Sequence, residues 1–190
     1  MSIVRTYRRD EEGTLYFREA WYAQYEGEEV GQFVVNHGTV GHQSKTETAK
    51  DVSVATADGL LDAFMEQCAE DGYKTLNTDE QSWVIVQYAL KTTEGTDRDK
   101  YLEATAKEAL TGHLAWRGLG TVESSDYAPR KLNIRILSPE PKKAVAAVKT
   151  CLREAKLDFT KLSIATAAFD DVETLKQAYP LPAKAPFTLN

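Results

Sequence analysis

The run Trp83-Val84-Ile85-Val86-Gln87-Tyr88-Ala89-Leu90 is nearly all apolar and rich in strand-forming residues. A strand of this composition has no polar face to offer water, so it belongs inside a sheet with cover on both sides. The residues that follow supply that cover in a fixed order. A turn at 92–95 leads to Thr96 and Asp99, the spacing of a capping box. A helix to about Leu114 then places Tyr101, Leu102, Ala106, Ala109, Leu110 and His113 on one side. Gly118 to Glu123 opens a second strand, and 131–137 is a third, where Leu132, Ile134 and Ile136 alternate with Lys131, Asn133 and Arg135 to mark one buried face. Ser138-Pro139 supplies N-cap and first-turn signals for a helix carrying Ala144, Val145, Val148, Cys151, Leu152 and Ala155. Residues 162–167 make a last strand. The order β-α-β-β-α-β is that of a ferredoxin-like domain over residues 79–170. A short helical turn is expected over 172–178, inside a C-terminal tail (171–190) that Pro180, Pro182 and Pro186 hold extended.

The first 78 residues read as antiparallel strands and one helix, so the chain as a whole is α+β. Residues 14–23 are aromatic-rich and strand-prone, 26–29 form a turn, and strands follow at 32–35 and about 43–50, with another short one at 3–7. A helix over 56–71 carries Leu60, Leu61, Phe64, Met65, Cys68 and Ala69 as a broad apolar face, and Gly72 stands where a C-cap glycine belongs.

Within that region His37-Gly38-Thr39-Val40-Gly41, Gln43-Ser44-Lys45-Thr46 and Gly72-Tyr73 together resemble a WGR domain over residues 14–76. Gly38 and Gly41 match the two glycines of that family's core and Val40 its hydrophobic position. His37 stands in the tryptophan's place and Thr39 in the arginine's. In poly(ADP-ribose) polymerases the tryptophan and arginine help engage a DNA end, so the resemblance implies a binding role at these two positions. A neutral imidazole and a hydroxyl provide less stacking and no phosphate fork, which argues for the wider bacterial group in which this domain accompanies other modules.

Charge points the same way. The chain carries −6 overall, and residues 1–78 hold seven Lys/Arg against fourteen Asp/Glu, or −7, which is unsuited to neutralising phosphates. No apolar run approaches the ~20 residues of a membrane span, and Met1 to Arg5 lacks a signal peptide's apolar core. Cys68 and Cys151 fall on apolar helix positions without metal-binding spacing, which suits a reducing, cytoplasmic setting.

Candidate chemistry is sparse. His37 and His42 with Glu47 offer ligand types for a divalent metal but no third histidine or cysteine, so no metal is expected. His113 with Glu108 or Glu123 lacks a nucleophile, and a histidine at a helix end is stabilised by the dipole alone. Ser124-Ser125-Asp126 reads as turn chemistry. The glycines at 38 and 41, and at 118 and 120, lack a P-loop lysine and read as hairpin geometry. Arg117, Arg130, Lys131 and Arg135 form the best basic patch, with Trp116 and Tyr127 as stacking partners, but the third strand carries none of the aromatics of an RNA-binding sheet. The expectation is a non-enzymatic, cofactor-free module that binds a protein partner. Its contacts would be the aromatic strands (Trp21, Tyr22, Tyr25, Phe33) or the face around Arg117, Arg130 and Arg135. Two alternatives stay open: nucleic-acid binding of the WGR type through His37 and Thr39, and a sensor or small enzyme with a pocket between the halves.

Overall fold

The computed structural model describes residues 3–183 and 185–190. The protein is α+β, with a four-stranded and a five-stranded antiparallel sheet. It divides into two compact units, Met1–Leu76 with Trp116–Gly118, and Asn77–Ala115 with Leu119–Asn190. No helix among the described residues is long and apolar enough to cross a membrane.

The first unit is a meander of β1 (Ile3–Arg9), β2 (Leu15–Gln24), β3 (Val30–Thr39) and β4 (Lys45–Ser53), followed directly by α1 (Val54–Glu70). Ser53 caps the helix, its hydroxyl accepting the Thr56 N–H at 3.2 Å. The helix ends in a Schellman motif: Gly72 has φ +77°, the Tyr73 N–H reaches Cys68 O at 2.8 Å, and the Gly72 N–H reaches Ala69 O at 3.0 Å. Ala57, Leu61 and Phe64 pack on Ala20, Phe33, Val52 and Val35. The apolar face is narrower than expected, because one sheet covers an arc of only about 100° of a helix. Leu60 and Met65 lie at the two margins of that arc and are exposed.

Gly59 points away from the sheet, and a Cβ there would meet nothing within 4 Å. Gly59→Ala is expected to raise stability by about 0.5–1 kcal/mol through lost backbone entropy of the unfolded chain. A chemical-denaturation midpoint that stays put or falls would contradict this.

The opposite face of the same sheet carries a polar row across all four strands: Arg5, Glu19, Asn36 and Thr46 are cross-strand neighbours in register. Glu19 and Asn36 are almost completely buried. Arg5 forms a hydrogen-bonded ion pair with Glu19, and the Thr46 hydroxyl donates to Asn36 Oδ1 at 2.7 Å. Burial pushes the Glu19 carboxyl up and Arg5 pulls it down, leaving it above the ordinary carboxylate range.

The three residues Trp116–Gly118 complete this unit. Arg117 O accepts the Gly41 N–H at 2.8 Å, Trp116 O accepts the Ser44 N–H at 2.9 Å, and Gly118 O accepts the Tyr7 hydroxyl at 3.1 Å. Of the two glycines in the 37–41 motif, only Gly41 (φ +97°) needs the left-handed region. Gly38 has ordinary strand geometry opposite Phe17, so its identity is not a turn requirement.

The second unit contains β5 (Ser82–Ala89), α2 (Asp97–Ala115), β6 (Thr121–Ala128), β7 (Lys131–Ser138), α3 (Pro141–Glu154), β8 (Leu162–Ala168) and β9 (Asp171–Tyr179). Its sheet runs β6-β7-β5-β8-β9, with the apolar β5 in the middle, and Val84, Ile85 and Val86 are fully buried. The capping box forms as the spacing dictates: Thr96 N donates to Asp99 Oδ2 at 2.8 Å and Asp99 N to Thr96 Oγ1 at 3.3 Å.

Four expectations are corrected. The helical turn expected over 172–178 is strand β9, so 162–167 is not the last strand and the tail gives its first nine residues to the sheet. The unpaired edge of β8 supplies backbone partners that outweigh the helical propensity of Glu173-Thr174-Leu175-Lys176. Helix α3 starts at Pro141, with Glu140 as N-cap, while Ser138 ends β7. Strand β7 is buried on both faces, because Asn133 and Leu137 are covered as well as Leu132, Ile134 and Ile136. Tyr101, expected on the inner side of α2, is 73% exposed because it sits in the helix's first turns, outside the buried set Ala106, Leu110 and Leu114.

Candidate functional site

The most organised polar surface lies on the second sheet, on the side away from its helices. Strand alternation places Gln87 of β5, Asn133 and Lys131 of β7, and Asp126 of β6 on that side. Asn133 is completely buried. Its Oδ1 accepts from Gln87 Nε2 at 2.7 Å, and its Nδ2 donates to Asp126 Oδ2 at 2.9 Å. Asp126 is held in turn by Arg135 Nε at 2.8 Å. The network spans three neighbouring strands and fixes each rotamer through the next.

Residues 188–190, outside any helix or strand, lie on this network and are read chiefly through their main chain. Gln87 Nε2 donates to Thr188 O at 2.9 Å and Asn133 Nδ2 to Leu189 O at 3.2 Å. Lys131 Nζ donates to Thr188 O at 2.9 Å, to Thr188 Oγ1 at 2.6 Å and to Asn190 O at 2.5 Å. Most of these bonds go to backbone carbonyls, which every residue type possesses. Three side chains thus recognise main-chain carbonyls more than a particular sequence.

A second cluster joins the end of α1 to strands β1 and β2 of the first sheet. Arg18 Nη1 pairs with Asp71 Oδ2 at 2.5 Å, and Arg8 Nη1 donates to Asp71 O at 3.2 Å. The guanidinium groups of Arg18 and Arg8 lie 4.3 and 5.0 Å from the centre of the Tyr73 ring. A hydrogen bond from Arg18 is the main reason the Asp71 carboxyl lies below its ordinary range. Both cations are engaged in fastening the helix end, which is a structural use.

The residues expected to form a site lie on different elements of the two units. His37 lies on β3 beside Glu47 of β4, with Nε2 3.4 Å from Oε1. Thr39 closes β3, its carbonyl accepting the His42 N–H at 3.0 Å, and His42 is exposed. Among the described residues no group of three or more His, Cys, Asp or Glu side chains is placed to hold a metal ion. Trp21, Tyr22 and Tyr25 are half-buried and Phe33 is buried. Tyr22 and Phe33 pack in the first core, and the Tyr22 hydroxyl donates to Val52 O at 3.0 Å. These aromatics therefore form no exposed patch.

Two cations of the expected basic patch are engaged in other contacts. Arg117 belongs to the first unit, whereas Arg130, Lys131 and Arg135 belong to the second. Arg130 sits in the β6–β7 hairpin with φ +62°, its carbonyl accepting the Leu90 N–H at 2.8 Å. Arg135 is paired with Asp126 and Lys131 is occupied by residues 188–190. Tyr127 turns to the helix side, where burial and then the Glu103 carboxylate push its hydroxyl up to about 12. His113 Nδ1 lies 3.9 Å from Glu154 Oε2. Ser125 is not turn chemistry but part of β6: its hydroxyl donates to Glu103 and accepts from Lys107 Nζ at 2.8 Å, pinning β6 to α2.

Gln87 and Asn133 carried no weight in the sequence. The one signal that pointed to them was Gln87, a polar residue within the apolar run of β5; the observed register places it opposite Asn133. Comparison of the chain with protein-family models, with curated proteins and with solved structures finds no match.

Proposed function

We propose that the protein is a non-enzymatic interaction module whose second sheet takes an extended segment of a protein partner. The single observation behind this reading is the seat of residues 188–190, held by Gln87, Asn133 and Lys131 through main-chain carbonyls. A surface that already binds peptide backbone in cis has the donors to bind it in trans.

Two finer readings of the fold accompany this. The first unit is proposed as a divergent WGR-like domain, supported by its antiparallel strands, the helix after β4 and the Gly72-Tyr73 exit. The second is proposed as ferredoxin-like with an added edge strand, supported by the order β6-β7-β5-β8 and the helices after β5 and β7. An RNA-binding use of the same sheet is less well supported. Trp83 is the aromatic on that side of β5 and β7, and it is stacked on Phe169 with ring centres 5.6 Å apart.

The test uses a variant lacking residues 185–190 and a fluorescent peptide of the sequence Ala-Pro-Phe-Thr-Leu-Asn. Saturable anisotropy is expected, weakened about tenfold by Lys131→Met, which keeps the stem and removes the charged donor. Exchanging Thr and Leu in the peptide removes the Lys131 bond to the Thr188 hydroxyl but keeps the main-chain bonds, and should cost less than Lys131→Met. Absence of binding, or equal binding by the Lys131→Met protein, would reject the reading. Salt-sensitive binding of a single-stranded oligonucleotide in its place would favour the nucleic-acid alternative.

A further inference from the structure

A cavity of about 240 Å³ opens on the helix side of the second sheet, between the start of α3 and strand β9. Its floor is a row of donors from three adjacent strands: Ser82 on β5, Thr166 on β8, and Thr174 and Lys176 on β9. Lys176 and Thr166 are register partners on neighbouring strands, and both line the cavity. Among the described residues, the hydroxyls of Ser82, Thr166 and Thr174 and the Lys176 ammonium have no hydrogen-bond or ion-pair partner. Side chains with no mutual use converge there on one space, unlike Ser125 or Thr46, whose hydroxyls are spent inside the fold.

Pro141, the first helical residue of α3, forms one wall. The first turn of that helix holds no acid and its dipole favours an anion at this wall, although Glu140, the N-cap residue, places a carboxylate at the same helix end. The carboxylate on the rim is Asp171, whose Oδ1 accepts the Thr174 N–H at 3.1 Å. It opposes an anion but is tied to the β9 backbone.

We infer that this cavity binds a tetrahedral oxyanion, namely phosphate or the phosphoryl group of a small ester. Three hydroxyl donors and one ammonium match the four oxygens of such a group, and a volume of about 240 Å³ leaves room beyond it for the rest of a small ester. The site lies on the helix side of the sheet, opposite the surface that seats residues 188–190, and does not depend on that surface's role.

The full chain, labelled with ¹⁵N, is titrated with inorganic phosphate at constant ionic strength, so that screening does not change. Saturable shifts are expected at the amides of Ser82, Thr166, Thr174 and Lys176. Lys176→Met, at an exposed strand position that leaves the core intact, should weaken binding about tenfold or more. Thr166→Val should weaken it severalfold, and Asp171→Asn, which keeps the acceptor and removes the charge, should tighten it. Shifts that do not saturate, an unchanged affinity in Lys176→Met, or acetate binding as tightly as phosphate would each overturn the inference.

Discussion

Arg5→Met is expected to destabilise the protein by about 3–5 kcal/mol, because it leaves the Glu19 carboxylate buried without its counter-charge. Glu19 is 2% exposed, and water cannot replace the guanidinium at that position. The loss is a large part of the ~5–15 kcal/mol available to an ordinary domain. Its pH dependence identifies the cause. Glu19 already titrates above the ordinary carboxylate range in the folded protein, chiefly through burial. A raised folded pKa means that the native state holds this proton more tightly than the unfolded chain. Its contribution is therefore present below the unfolded pKa and is lost as pH rises through the folded one. Removing Arg5 takes away the group that pulls the pKa down, so the deficit is largest near neutrality. It should narrow as pH falls and Glu19 becomes protonated in both proteins. The double variant Arg5→Met, Glu19→Leu should recover most of the loss, since an apolar pair carries no desolvation penalty. Urea denaturation across pH measures all of this. A deficit independent of pH, or a double variant no better than the single, would assign the effect to packing.

Gly120→Ala is the second substitution with a large expected effect. Gly120 has φ +108°, and a Cβ there would stand 1.8 Å from the Leu137 carbonyl oxygen and 3.0 Å from the Ser138 Cα. Both atoms are backbone of the paired strand β7, so no side-chain rotation relieves the overlap. The entry of the chain from α2 into β6 must shift, at a cost of about 3 kcal/mol or more from strained backbone and displaced pairing. Gly112→Ala is the matched control. It lies inside α2 where an added Cβ meets nothing within 4 Å, and it should be neutral or stabilising. Thermal unfolding of the two variants side by side decides the matter. Similar midpoints would mean that the loop relaxes without disturbing β7.

These two positions show where reading the sequence succeeds and where it stops. The apolar run of β5 required a central, doubly covered strand, and it is the middle strand of its sheet. The Thr96–Asp99 box, the Gly72 exit of α1 and the burial of both cysteines likewise follow from local patterns. Each depends on neighbours within a few residues, where periodicity and capping act. Glu173 to Lys176 failed for the opposite reason. Their local preference is helical, but the open edge of β8, distant in sequence, offers backbone hydrogen bonds.

The polar sites were hidden by the same distance. Arg5 and Glu19 are fourteen residues apart, and Gln87 is 101 residues from Thr188. Nothing in the spacing of either pair marks it. By itself the sequence determined the α+β class, most of the strands and helices, and the places where the chain must turn, because steric and hydrophobic periodicities are local. The tertiary structure alone decided which charges are buried, which aromatics are consumed by the core, and which polar side chains face one another across strands. Register brings those groups together, and register is set by the whole sheet at once.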